Sequence, residues 1–145
     1  MAGYVQKELV IASETRYLAQ IREAVAGIIQ DSGFPSLEMH QIILAVDEAV
    51  ANVMEHTAAS NPERNHLTIR MTLNASAKVF EVVIQDSGPE FNPQEIEPPN
   101  IEEHVRAGRR KGLGLFLMRQ IMDEVEYTFV QGFRNELRMV KYVQS

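Results

Sequence analysis

The chain has no cysteine among its 145 residues, which excludes disulfides, catalytic thiols and thiolate metal sites together. No apolar stretch approaches the length needed to span a bilayer, and the start MAGYVQKELV lacks a signal-peptide hydrophobic run. A soluble protein is expected, with no membrane partner, and the missing cysteine fits the cytoplasm. Positive charge is also scarce. Lys and Arg number 14 against 20 Asp and Glu, a formal net charge of −6. That balance argues against a general nucleic-acid binder, whose affinity rests on neutralising phosphate, but not against a basic protein partner. The histidines His40, His56, His66 and His104 are scattered, and none belongs to an HExxH or another close metal pair. No Gly-x-Ser-x-Gly elbow is present, so a hydrolytic triad has no support.

What is present has ordinary globular proportions, 45% hydrophobic and 23% charged. The length suits a single domain, 1–145, with one substantial core. The stretch Met39 to Thr57, MHQIILAVDEAVANVMEHT, organises the rest. At helical spacing Met39, Ile42, Ile43, Val46, Val50 and Val53 share an apolar arc, and Gln41, Glu48, Asn52, Glu55 and His56 lie roughly opposite. Ser36 is the expected cap of this helix. Before it, Tyr4 to Ala12 alternates as a strand with Val5, Leu9 and Ile11 on one side. A helix follows, capped by Ser13 or Thr15, with Leu18, Ile21, Val25, Ile28 and Ile29 inward; Gly33 and Pro35 end it. Arg16, Arg22 and Glu23 are expected to face water or a partner.

After the surface loop AASNPERN, His66 to Leu73 and Val79 to Gln85 read as a hairpin around the turn NASA. From Asp86 the character changes. A long polar segment holds Pro89, Pro93, Pro98 and Pro99, and its charge runs from acidic to basic, ending in Arg109, Arg110 and Lys111. Leu113 to Met122 reads as a short helix, apolar on almost every side and therefore buried. Val125 to Val130 and Glu136 to Val143 form a second hairpin around QGFRN. Helices gathered beside a mainly antiparallel mixed sheet give an α/β two-layer sandwich, with the helices on one face.

Three short patterns can carry chemistry. Glu48, Asn52 and His56 follow one another at four-residue steps, about 6 Å apart along a helix. A carboxylate one turn from a carboxamide suits a general base beside a magnesium ligand, although such a face is more often simply solvated. Asp86-Ser87-Gly88 ends a strand, an ordinary turn pattern. There a carboxylate can accept a hydrogen bond from an amino group such as adenine N6, and Gly88 lets the backbone lie close to the base. Phe91 can stack or pack beside it. Gly112-Leu113-Gly114-Leu115 opens a helix, where free amides bind phosphate, and Lys111 adds positive charge. It is not a Rossmann fingerprint, because the third glycine and the parallel βαβ unit are missing, nor a P-loop, because no GK[ST] follows.

The order of these patterns resembles the Bergerat-fold ATP site of the GHKL superfamily. LAVDEAVANVMEH, QDSGPEFNP and KGLGLFLMRQIMDEVEY look most like the small stand-alone anti-sigma-factor serine kinases of bacterial partner-switching systems. The resemblance implies Glu48 as general base toward a partner's serine or threonine hydroxyl and Asn52 as a ligand of Mg²⁺. It implies Asp86 as the adenine-binding carboxylate with Gly88 beside the base. Lys111, Gly112, Leu113, Gly114 and Leu115 would cradle the phosphates of ATP, under a lid spanning about 87–111. Two departures stand out. Glu90 replaces the second glycine of the D-x-G-x-G common in the superfamily. RNELRM stands where many relatives have a Gly-Thr pair, so no residue is assigned to that role.

The resemblance implies an ATP-dependent protein serine/threonine kinase and anti-sigma factor. Its phosphoacceptor would be a STAS-domain antagonist and its sequestered partner a sigma factor, with homodimerisation through residues such as Arg16 and Arg22. The alternative is a non-catalytic interaction module that uses nucleotide only as a conformational ligand; Glu48 favours the enzyme, since a pure binder does not need that carboxylate. The ATPase half of a histidine kinase is disfavoured, because only about 35 residues precede the central helix and they read as a strand and one helix. His56 shares the face of Glu48 but receives no role.

Overall fold

Apolar residues at every second position draw five segments into one sheet: β1 (Tyr4–Ala12), β2 (His66–Asn74), β3 (Val79–Asp86), β4 (Glu124–Val130) and β5 (Arg134–Tyr142). The computed structural model describes residues 4–30, 32–57, 66–74, 76–86, 113–130 and 134–142. The strands hydrogen-bond in the order β1-β2-β3-β5-β4. All four pairings are antiparallel. Leu67, Ile69, Met71 and Leu73 of β2, Phe80, Val82 and Ile84 of β3, and Leu137 and Met139 of β5 are buried. They all have the parity of one sheet face, which is the face the helices cover.

The residues of opposite parity form polar cross-strand pairs. Arg70 bridges to Glu8 at 3.1 Å, and Gln85 donates to Glu136 at 2.7 Å. Arg138 lies 2.7 Å from Glu81, 3.6 Å from Glu124 and 3.4 Å from Glu126. The hydrogen bond to Glu81, reinforced by the three carboxylate charges, raises the Arg138 pKa above its ordinary value. Partly exposed pairs of this kind each contribute about 1 kcal/mol or less, so they set register more than stability.

Among the described residues, three helices make the second layer: α1 (Leu18–Ile29), α2 (Ser36–Thr57) and α3 (Leu113–Ile121). α2 packs against both other helices and against β3. Its buried stripe contains the expected Ile42, Val46, Val50 and Val53, widened by Ala45, Ala49 and Met54. Each large aliphatic side chain fully buried there is worth about 1.5–3 kcal/mol. Met39 and Ile43 are half-buried at its margin. Arg22 of α1 reaches Asp47 of α2 at 2.8 Å, and Arg16 pairs with Glu14 at 2.6 Å. Both arginines offered as contacts with a partner therefore pair within the chain.

Several local expectations are corrected. Neither Ser13 nor Thr15 caps α1. Thr15–Tyr17 forms a 3₁₀ turn, and Tyr17 takes the cap position with no side-chain cap bond. The turn's own bonds, from the Tyr17 amide to the Glu14 carbonyl at 3.1 Å and from the Leu18 amide to Thr15, do the work a polar cap would do. Ser36 lies inside α2 as its first residue, where the Pro35 carbonyl accepts the Met39 amide at 3.0 Å. Val5 is 48% exposed, because β1 is an edge strand and only its C-terminal half, at Leu9 and Ile11, packs against the core. Among the described side chains of the segment expected to be buried all round, Met118 and Met122 are buried, Leu117, Arg119 and Ile121 are half-buried and Gln120 is exposed. Gly33 does end the α1 region, with φ of +88°, a backbone conformation that costs a residue with Cβ about 1–2 kcal/mol. The loop 58–65 and part of each hairpin turn lie outside the described residues.

Candidate nucleotide site

α2 places Glu48 and Asn52 one turn apart, both half-buried. The Asn52 Nδ2 donates to the backbone carbonyl of Glu48 at 2.7 Å. A carbonyl only accepts, so this bond fixes which way the amide faces. The side chain's single acceptor, Oδ1, is then presented in one orientation, as a hard cation requires of an oxygen ligand. Glu55 is exposed, and the side chain of His56 lies outside the described residues.

At the far end of β3, Asp86 is 6% exposed. A carboxylate so deeply placed needs hydrogen-bond donors. The register sets it opposite Asn135 of β5, itself 1% exposed. Asn135 Nδ2 donates to Asp86 Oδ1 at 3.0 Å, and the Tyr127 hydroxyl of β4 donates to Asn135 Oδ1. Asn135 is the site neighbour that the sequence reading misses, because that reading starts the strand at Glu136, two residues after its observed start at Arg134. A signal was available. Asn135 is in phase with Leu137 and Met139, so a polar side chain falls on the inward parity of a strand.

Leu113, Gly114 and Leu115 open α3 as expected. The other end of that helix is held by Lys141 of β5. Its Nζ donates to the Ile121 carbonyl at 2.9 Å and lies 3.9 Å from Asp123, with the side chain only 10% exposed. A cation there satisfies an orphan carbonyl and complements the helix dipole. Replacing Lys141 by Met keeps the aliphatic stem and removes the donor. Urea denaturation is expected to show a loss of about 1–3 kcal/mol, the usual cost of leaving a buried acceptor unpaired. Gly88, Phe91, Lys111, Gly112 and the lid at 87–111 lie outside the described residues. Among the described residues, no group of three or more His, Asp or Glu is placed to hold a metal ion. No helix among them is long and apolar enough to cross a membrane.

Among the described residues, then, an antiparallel sheet is covered on one face by three helices, with a buried carboxylate at a strand end and an oriented amide on α2. The chain belongs to the histidine kinase-like ATPase domain family, whose model matches residues 11–141, and that membership implies ATP binding. Over nearly its whole length the chain is similar to proteins named serine-protein kinase RsbW. That of Bacillus mycoides is 28% identical over 99% of this chain and 89% of its own. That of Listeria monocytogenes is 29% identical over 94% and 87%, and that of Staphylococcus epidermidis 30% over 98% and 88%. Among solved structures, the RsbU and RsbW domains of Rv1364c from Mycobacterium tuberculosis share the fold, with a TM-score of 0.67 at 12% identity. The match covers 96% of this chain and 32% of that longer one.

Proposed function

We infer that this chain is an ATP-dependent protein serine/threonine kinase that acts as an anti-sigma factor in a cytoplasmic partner switch. The observation that carries the reading is similarity to RsbW serine-protein kinases over nearly the full length of both chains. The oriented Asn52 amide and the sealed Asp86 carboxylate support it, since each suits one end of Mg-ATP. Asp86, with Gly88, takes the adenine amino group. Lys111 and Gly112 hold the phosphates together with Leu113, Gly114 and Leu115, whose amides lie at the start of α3. Asn52 Oδ1 would hold a magnesium ion, which supplies charge neutralisation across the phosphate oxygens.

Glu48 then has one task. It accepts the proton of the partner's serine or threonine hydroxyl as that oxygen bonds to the γ-phosphorus. The bond between that phosphorus and its bridging oxygen breaks, and ADP leaves with the electron pair. Most of the catalysis is positioning and charge neutralisation. The acceptor is a STAS-domain antagonist. Adding a dianionic phosphate to its docking face separates the two proteins and returns the kinase to a sigma factor. The test is incubation with Mg-ATP and candidate STAS-domain proteins, followed by intact mass. A gain of one phosphate on a serine or threonine is expected. ATP binding with no transfer to any candidate would instead favour the non-catalytic module.

A further inference from the structure

We propose that Tyr127 and Asn135 form a hydrogen-bonded relay that orients Asp86 and thereby makes the site selective for a 6-amino purine. The proposal rests on the reading of Asp86 as the base-binding carboxylate and adds the residues that set its geometry.

The chemistry of the three groups fixes the direction of every bond. An ionised carboxylate only accepts, so Asn135 must turn its amino nitrogen to Asp86, where Nδ2 meets Oδ1 at 3.0 Å. The amide's carbonyl oxygen then faces the other way and accepts from Tyr127. A Tyr127 hydroxyl donates readily, so the amide is held against flipping. The three residues come from three neighbouring strands. Asp86 and Asn135 are register partners across β3 and β5, while Tyr127 lies opposite Leu137. With Asn135 1% and Asp86 6% exposed, the bonds lie where water competes least.

The consequence is selectivity. A carboxylate held in one plane accepts well from a ligand amino group and repels a carbonyl oxygen at the same place. A carboxylate free to rotate loses much of that difference. Asn135 is therefore a positioning residue that acts on the ligand through Asp86, and Tyr127 acts through Asn135.

The test compares ATP with inosine triphosphate, in which a carbonyl replaces the 6-amino group, by calorimetry on the full chain with magnesium. For Asn135→Leu, ATP affinity is expected to fall about tenfold and inosine triphosphate affinity less than about twofold, so the preference collapses. Tyr127→Phe, which leaves Asn135 in place, is expected to reduce the preference about threefold and decides the matter if the leucine variant fails to fold. Adding Asn135→Leu to Asp86→Asn should change the preference no further, since the relay would have nothing left to orient. Equal losses for both nucleotides, or an undiminished preference in Tyr127→Phe, would overturn the relay. A wild-type chain that binds neither nucleotide, or binds both alike, would instead overturn the assignment of Asp86 itself.

Discussion

Glu48→Ala is expected to lower phosphoryl transfer by about 10²–10⁴-fold, the range associated with losing a positioned general base. The affinity for Mg-ATP should change by less than about twofold in the same protein. This separation is expected because of how the residue is used. Asn52 hydrogen-bonds to the main-chain carbonyl of Glu48, not to its carboxylate, so truncating the side chain leaves the amide's anchor in place. Alanine is also the strongest helix former, so α2 should not weaken locally. Single-turnover transfer to an acceptor protein, beside calorimetric titration with ATP, measures the two effects separately. Full transfer activity in the variant would remove Glu48 from the mechanism.

Asn52→Ala is expected to do the reverse. Removing the amide should weaken Mg-ATP binding on the order of 10–100-fold, as usual when a group that holds or orients a metal is lost. The unliganded protein, however, should become more stable, by about 0.5 kcal/mol, because asparagine is a poor residue in a helix interior. The two effects have opposite signs, which guards against mistaking general damage for a lost ligand. In thermal melts the apo midpoint should rise by a few degrees at most, and the upward shift caused by saturating Mg-ATP should shrink. A tenfold weaker affinity removes about 1.4 kcal/mol of that ligand stabilisation at fixed excess ATP. Unchanged affinity would count against Asn52 as the metal ligand.

The two faces of α2 were legible in the sequence because helical periodicity survives burial. Ile42, Val46, Val50 and Val53 are core residues in the fold, and Glu48 and Asn52 stand apart from them. Strand alternation likewise placed β2 and β3 within a residue of their observed limits. What the pattern could not give was context. Val5 has the parity of a core residue, yet only position along the strand decides whether a helix covers it. Ser13 and Thr15 are good caps by type, but a 3₁₀ turn can deliver the chain into α1 without one. At the site, Asp86 was visible as a strand-end carboxylate, whereas its neighbours were not. Asn135 and Tyr127 lie 49 and 41 positions further on, and only the β3–β5 pairing shows that the first of them touches Asp86. Short motifs record what is near in sequence, and this contact is near only in space.

That pairing also governs the order in which the molecule can be completed. β5 follows every other strand in the chain yet occupies the position between β3 and β4. A nascent chain that has left the ribosome only as far as β4 therefore has two open strand edges where the finished sheet has a continuous ladder. Asp86 at that moment lacks its amide donor, and α3 lacks the Lys141 tether. Long-range strand insertion of this kind is slow compared with local helix formation. The candidate nucleotide site is therefore expected to mature last, with unpaired edges at β3 and β4 making the interval before it the time of greatest exposure to aggregation.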